Sequence, residues 1–124
     1  MKNAVIKQGG RTVIAMAHVP ALPGSPDYKL HEGMQKLHDW VGRDIEALQS
    51  GGVDAIMFGN EFDRPYVLKA PPEGLAALTA VVTEAKKTLK VPFGVNYLWD
   101  PVATVALASA TGASFAREIY TGVY

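Results

Sequence analysis

Four short apolar runs, separated by three segments of helical periodicity, constrain this chain more than any other feature. The runs are TVIAMAHV (Thr12 to Val19), VDAIMFG (Val53 to Gly59), PFGVNY (Pro92 to Tyr97) and SFAREIY (Ser114 to Tyr120). Periodicity alone does not separate a short buried strand from a piece of helix, so the flanks decide, and they favour strands. Between the first two runs, Met34, Leu37, Val41, Ile45 and Leu48 recur at steps of three and four, which marks an amphipathic helix. It is expected to stop at Gly51-Gly52, where glycine supplies a left-handed residue. A second helical pattern uses Leu75, Leu78, Val82, Ala85 and Leu89, opens near Pro71 and Pro72, and closes with Lys86, Lys87 and Lys90 at its negative end. A third follows Asp100-Pro101, a cap and first-turn pair, uses Val102, Val105, Ala106 and Ala110, and ends at Gly112.

The resulting order is βαβαβαβ, and helices between successive strands imply a parallel sheet with right-handed crossovers. Two architectures fit. An open doubly-wound sheet would be complete at 124 residues, whereas a (β/α)8 barrel needs about 250, so length by itself favours the open sheet. In both folds the functional loops follow the C-terminal ends of the strands.

With 48% hydrophobic and 19% charged residues, the chain has the composition of one globular domain spanning 1–124. Twelve basic residues balance twelve acidic ones, so no bulk field recruits nucleic acid or an anionic membrane. The absence of cysteine excludes a disulfide scaffold and a thiol nucleophile. The start, MKNAVIKQGGRTVIAMAHVP, is interrupted by Gly9, Gly10 and Arg11, and its apolar run is too short for a secretion signal or a membrane span. A cytoplasmic protein without membrane insertion is the expectation.

The strand ends collect a polar set: His18, Asn60, Glu61, Asp63, Asn96, Asp100, Arg117 and Glu118. In a parallel α/β fold this is the face where ligands bind. His18 is the acid-base candidate, because imidazole titrates near neutrality; a hydrogen bond to a loop carbonyl is the alternative. A carboxylate at Glu61 or Asp63 suits a base, an acceptor for sugar hydroxyls or a metal ligand, and equally a cap or a loop salt bridge. Asn60 and Asn96 can donate and accept together, which suits a hydroxylated or carbonyl substrate, although asparagine also bonds its own turn. Asp100 is best explained as a helix cap. Arg117 and Glu118 are adjacent, so alternation sends them to opposite faces; arginine suits a phosphate or carboxylate, or a structural ion pair. Walker, G-x-G-x-x-G, G-x-S-x-G and H-E-x-x-H patterns are missing, and no cofactor or metal is expected.

The segments VIAMAHVPALPGSPDY, ALQSGGVDAIMFGNEFDRPY, VPFGVNYLWDPVA and FAREIYTGVY resemble the first half of the BtpA family, especially its SgcQ-type members associated with sugar-catabolic gene clusters. The resemblance implies a TIM barrel and reverses the preference drawn from length: the chain would be a half-barrel, ending just after the fourth strand. It carries His18, Asn60, Asn96 and Arg117 as strand-end site positions. The family has no settled reaction. One reading, resting on His18, Glu61 and the asparagines at one rim, is an enzyme acting on a small sugar or sugar phosphate, as an isomerase, epimerase or lyase, with His18 and Glu61 as catalytic candidates and Asn60, Asp63, Asn96 and Arg117 as substrate-binding candidates. The other is a non-catalytic assembly factor, as for a relative linked to photosystem I biogenesis. A half-barrel would also expose two sheet edges and a lumen face bearing Met16 and Met57, so a homodimer is expected.

Overall fold

The structure is a computed structural model and describes residues 5–119. Strand β1 (Ile14–His18) leads through a long loop to helix α1 (Gly33–Ser50), then β2 (Ala55–Gly59), α2 (Pro72–Ala85) with a 3-10 turn (Lys86–Thr88), β3 (Phe93–Asn96), α3 (Pro101–Thr111) and β4 (Phe115–Ala116). All pairings are parallel, and the sheet order is β1-β2-β3-β4. That order separates the two candidate architectures. A doubly-wound sheet reverses direction at a switch point, whereas right-handed crossovers that always step the same way keep every helix on one face. Here α1 packs on α2 and α2 on α3, as in a half-barrel.

Alternation along the strands sorts the sheet's two faces. Ala17, Val19, Ile56, Phe58, Val95 and Tyr97 point to the helices and form one core with Leu37, Val41 and Ile45 of α1 and Leu78, Val81 and Val82 of α2. The opposite parity faces the lumen side. Met16, Met57, Gly94 and Phe115 are in register there, and His18, Gly59 and Asn96 form the next row toward the strand ends. Gly94 leaves room on this face as its position suggests: a Cβ there would run into the Phe115 ring.

Helix boundaries follow local chemistry. Gly52 (φ 83) and Gly112 (φ 75) take the left-handed conformations that end α1 and α3. Asp100 caps α3, its Oδ1 accepting from the Ala103 N–H at 3.0 Å, and its Oδ2 also accepts from the Ala70 N–H at 2.7 Å, which ties the β2-α2 loop down.

Three expectations need correction. The inward stripe of α3 is Ala103, Thr104, Leu107 and Thr111, while Val102 is 79% and Val105 56% exposed. The threonines escape the apolar pattern because their hydroxyls bond the helix itself, Thr104 to Asp100 O at 2.9 Å and Thr111 to Leu107 O at 2.8 Å. The α-helical part of α2 ends at Ala85, and the lysine segment continues only as a 3-10 turn. Finally, β4 is two residues long. Just past it, the Glu118 carboxylate accepts from Asn96 Nδ2, Thr104 Oγ1 and the Ile119 N–H; Tyr120 lies outside the described residues. Among the described residues, no helix is long and apolar enough to cross a membrane.

Candidate functional site

The C-terminal strand ends bring His18, Glu61, Asn96 and Arg117 together on the lumen face. His18 closes β1, exposed on the face opposite the buried Ala17 and Val19, with the Phe62 ring edge-on to its imidazole at 6.1 Å between centroids. Gly59 is its register partner on β2 and Asn96 the next partner on β3. The row continues to Arg117, whose N–H bonds Val95 O at 3.2 Å just past β4.

Glu61 fills the gap that Gly59 leaves in this row. A Cβ on Gly59 would lie 2.6 Å from both Glu61 carboxylate oxygens, so the carboxylate folds back over the glycine. Its backbone is held from outside by the Tyr66 hydroxyl, which donates to Glu61 O at 2.7 Å. Within the row, His18 Nε2 and Arg117 Nη2 each stand 3.9 Å from Glu61 Oε1. Both are ion-pair separations, too long for hydrogen bonds. The two Glu61 oxygens are buried without a hydrogen-bond partner, as is Asn96 Oδ1. Asn96 Nδ2 is occupied, donating to Arg117 O at 2.9 Å and Glu118 Oε2 at 3.2 Å.

Asn60 and Asp63 are not part of that group. Asp63 Oδ1 accepts from the Leu22 N–H at 2.7 Å and its Oδ2 from Asn60 Nδ2 at 3.3 Å, while Asn60 Oδ1 accepts from the Leu98 N–H at 2.7 Å. Both side chains are buried, and together they lash the loops after β1, β2 and β3 to one another. Burial pushes the Asp63 carboxyl above its ordinary value, against the pull of the Leu22 N–H and the Asn60 amide. These residues also border a cavity of about 220 Å³ whose other walls include Pro23, Pro65, Pro71 and Tyr97. The cavity is walled largely by prolines and apolar side chains and lies apart from the His18 row. Burial raises the Tyr97 hydroxyl pKa, so the ring stays neutral there.

Arg117 and Glu118 take opposite faces, as alternation requires: Arg117 reaches Glu61 on the lumen side and Glu118 reaches Thr104 on the helix side. Trp99 packs edge-on against Tyr66 at 5.3 Å between centroids, supporting the loop that carries Glu61. Gly59 and Tyr66 were not singled out in the sequence, although a glycine two residues before a strand-end carboxylate, on the same face, is a legible signal for the first. Among the described residues, no group of three His, Cys, Asp or Glu side chains is placed to hold a metal ion.

Comparison with known proteins agrees with the fold. The chain is 51% identical over 114 residues to the sgc region protein SgcQ of Escherichia coli (strain K12), covering 92% of this chain and 42% of that protein. It is 32% identical to the photosystem I biogenesis protein BtpA of Synechocystis, covering 90% and 39%. The chain thus spans less than half the length of the curated relatives it matches. A solved structure of dihydropteroate synthase from Xanthomonas albilineans superposes with a TM-score of 0.60 over 88% of this chain and 36% of that one; at 16% identity the likeness shows the fold alone. The model of the BtpA family matches residues 9–124, and the chain belongs to that family.

Proposed function

We propose that this chain supplies part of the active site of a cytoplasmic enzyme that moves a proton on a small hydroxylated, phosphorylated metabolite, as an isomerase, epimerase or lyase. The observation that carries this is the convergence of His18 and Arg117 on one oxygen of Glu61, each at 3.9 Å, in a single row at the strand ends. An imidazole at a strand end can accept a proton from a substrate and return it. The Arg117 side chain is 59% exposed beyond its contact with Glu61 and is suited to a phosphate or carboxylate by bidentate bonding.

The test has two stages. Thermal shift against a panel of sugar phosphates and sugar acids is expected to show stabilisation by at least one. Incubating that compound with the protein in deuterated water should then exchange a carbon-bound hydrogen, and His18→Ala should abolish the exchange. Exchange that persists in His18→Ala removes the residue from the mechanism. A panel without a single stabilising compound, together with a stable protein partner recovered from native lysate, would favour an assembly role instead.

A further inference from the structure

Glu61 and Asn96 pose an accounting problem that the neighbouring His18 and Arg117 do not solve. Both Glu61 carboxylate oxygens and Asn96 Oδ1 are shielded from water without a hydrogen bond. Buried acceptors are costly to leave unpaired, a carboxylate most of all, and such groups in a folded protein need a reason. The Asn96 orientation is set by its partners, since a flipped amide would turn its oxygen toward the Arg117 carbonyl and the Glu118 carboxylate. The acceptors also stand at one level on neighbouring strands, because Glu61 fills the lumen position of Gly59 and Asn96 is the register partner of Gly59.

A ligand that satisfies them must bring donors. A divalent cation or an ammonium group would face the Arg117 guanidinium, which is always charged and stands 3.9 Å from Glu61 Oε1. A neutral hydroxyl meets no such repulsion, and it accepts as well as donates. Because these oxygens have almost no exposed surface, a hydroxyl must take the place of the exposed His18 or Arg117 side chain beside Glu61 Oε1, donating to Glu61 and accepting from the displaced donor.

We propose that the row binds two adjacent hydroxyls of a polyhydroxylated substrate, one donating to Glu61 and the other to Asn96 Oδ1. This rests on the reading of the site as one for a small hydroxylated metabolite, and it adds the requirement for a vicinal diol and the two residues that read it.

The experiment is calorimetric titration of the protein with D-ribose 5-phosphate, D-glucose 6-phosphate and D-gluconate 6-phosphate, each beside its 2-deoxy and 3-deoxy analogues. At least one parent compound is expected to bind and to lose on the order of ten- to hundredfold in affinity when one hydroxyl is removed. In Glu61→Gln or Asn96→Leu, both close in shape to the native residue and checked for fold by circular dichroism, that penalty should shrink severalfold. An equal penalty in the native protein and both variants overturns the diol assignment, as does failure of every parent compound to bind. Stabilisation by magnesium chloride alone that disappears in Asn96→Leu would assign the acceptors to a cation and overturn it too. Hydroxyl coupling without hydrogen exchange would sink the catalytic reading and leave the diol site standing, whereas exchange without coupling would do the reverse.

Discussion

The carboxylate of Glu61 occupies the space that a side chain at Gly59 would take, with both oxygens 2.6 Å from where the Cβ would be. Glycine at this strand end is therefore a condition for placing the carboxylate between His18 and Arg117. Gly59→Ala is expected to swing the flexible end of Glu61 out of the row, lowering ligand affinity or hydrogen exchange by tenfold or more while changing stability by no more than about 1 kcal/mol. Urea unfolding beside the binding or exchange assay measures both, and unchanged binding and exchange would show that Gly59 does not place the carboxylate.

Asp100 accepts hydrogen bonds from Ala103 N–H and Ala70 N–H at once, so it serves α3 and the β2-α2 loop together. Asp100→Ala should cost more than an ordinary cap, about 2–4 kcal/mol, because a second charge-assisted bond is lost with the first. Denaturant unfolding checks the size. Proteolysis of the loop carrying Lys69 should quicken as well, and a cost under about 1 kcal/mol would argue against the double role.

Asp63 ties stability to pH in the direction opposite to a salt-bridged carboxylate. Burial raises its folded-state value above the ordinary 3.8. A raised carboxyl binds its proton more tightly when folded, so its contribution to stability is fully present below 3.8 and declines as pH rises through the higher folded value. Replacing the carboxyl with an amide removes this component. The difference in unfolding free energy between the native protein and Asp63→Asn should therefore shift in favour of Asp63→Asn as pH rises from 3.8 through the higher folded value. A difference that stays flat over that range would show that Asp63 titrates alike in the folded and unfolded chains.

The phase of α3 can be tested by contrast. Leu107 is fully buried and Val102 is 79% exposed, although both fall in one apolar stretch. Leu107→Ala should cost about 2–5 kcal/mol and Val102→Ala within about 0.5 kcal/mol. Similar costs for the two would mean that another structure covers Val102 in solution.

Each of β1 and β4 is paired on one side only among the described residues, and the lumen face beside them carries Ile14 and Met16. A chain of these 124 residues is expected to self-associate through those edges. Light scattering on a sizing column is the measurement. A compact monomer with a cooperative melt at micromolar concentration would count against it.

Much of the fold was legible along the chain. Leu37, Val41 and Ile45, spaced by four, are the buried stripe of α1, and the Asp100 cap and Gly112 stop bound α3 where the sequence puts them. The stripe of α3 was misplaced because alanines and valines surround the whole helix, so its apolar pattern carries little phase information, and two of the inward positions are threonines that satisfy themselves on the helix backbone. The length of β4 was overestimated because Arg117 and Glu118 keep a strand-like alternation of faces past Ala116, where the pairing with β3 stops.

By itself the sequence determined the parallel βα repeat, the caps and stops, and the set of polar residues at strand ends, because these depend on chemistry within a few residues of chain. The tertiary structure decided which of those residues meet. Asn60 and Glu61 are neighbours in sequence, yet one is used up bracing Asp63 and Leu98 while the carboxylate of the other is left without a hydrogen bond beside His18 and Arg117. That division follows from sheet register and from the missing side chain at Gly59, and both are relations between strands that local chemistry does not encode.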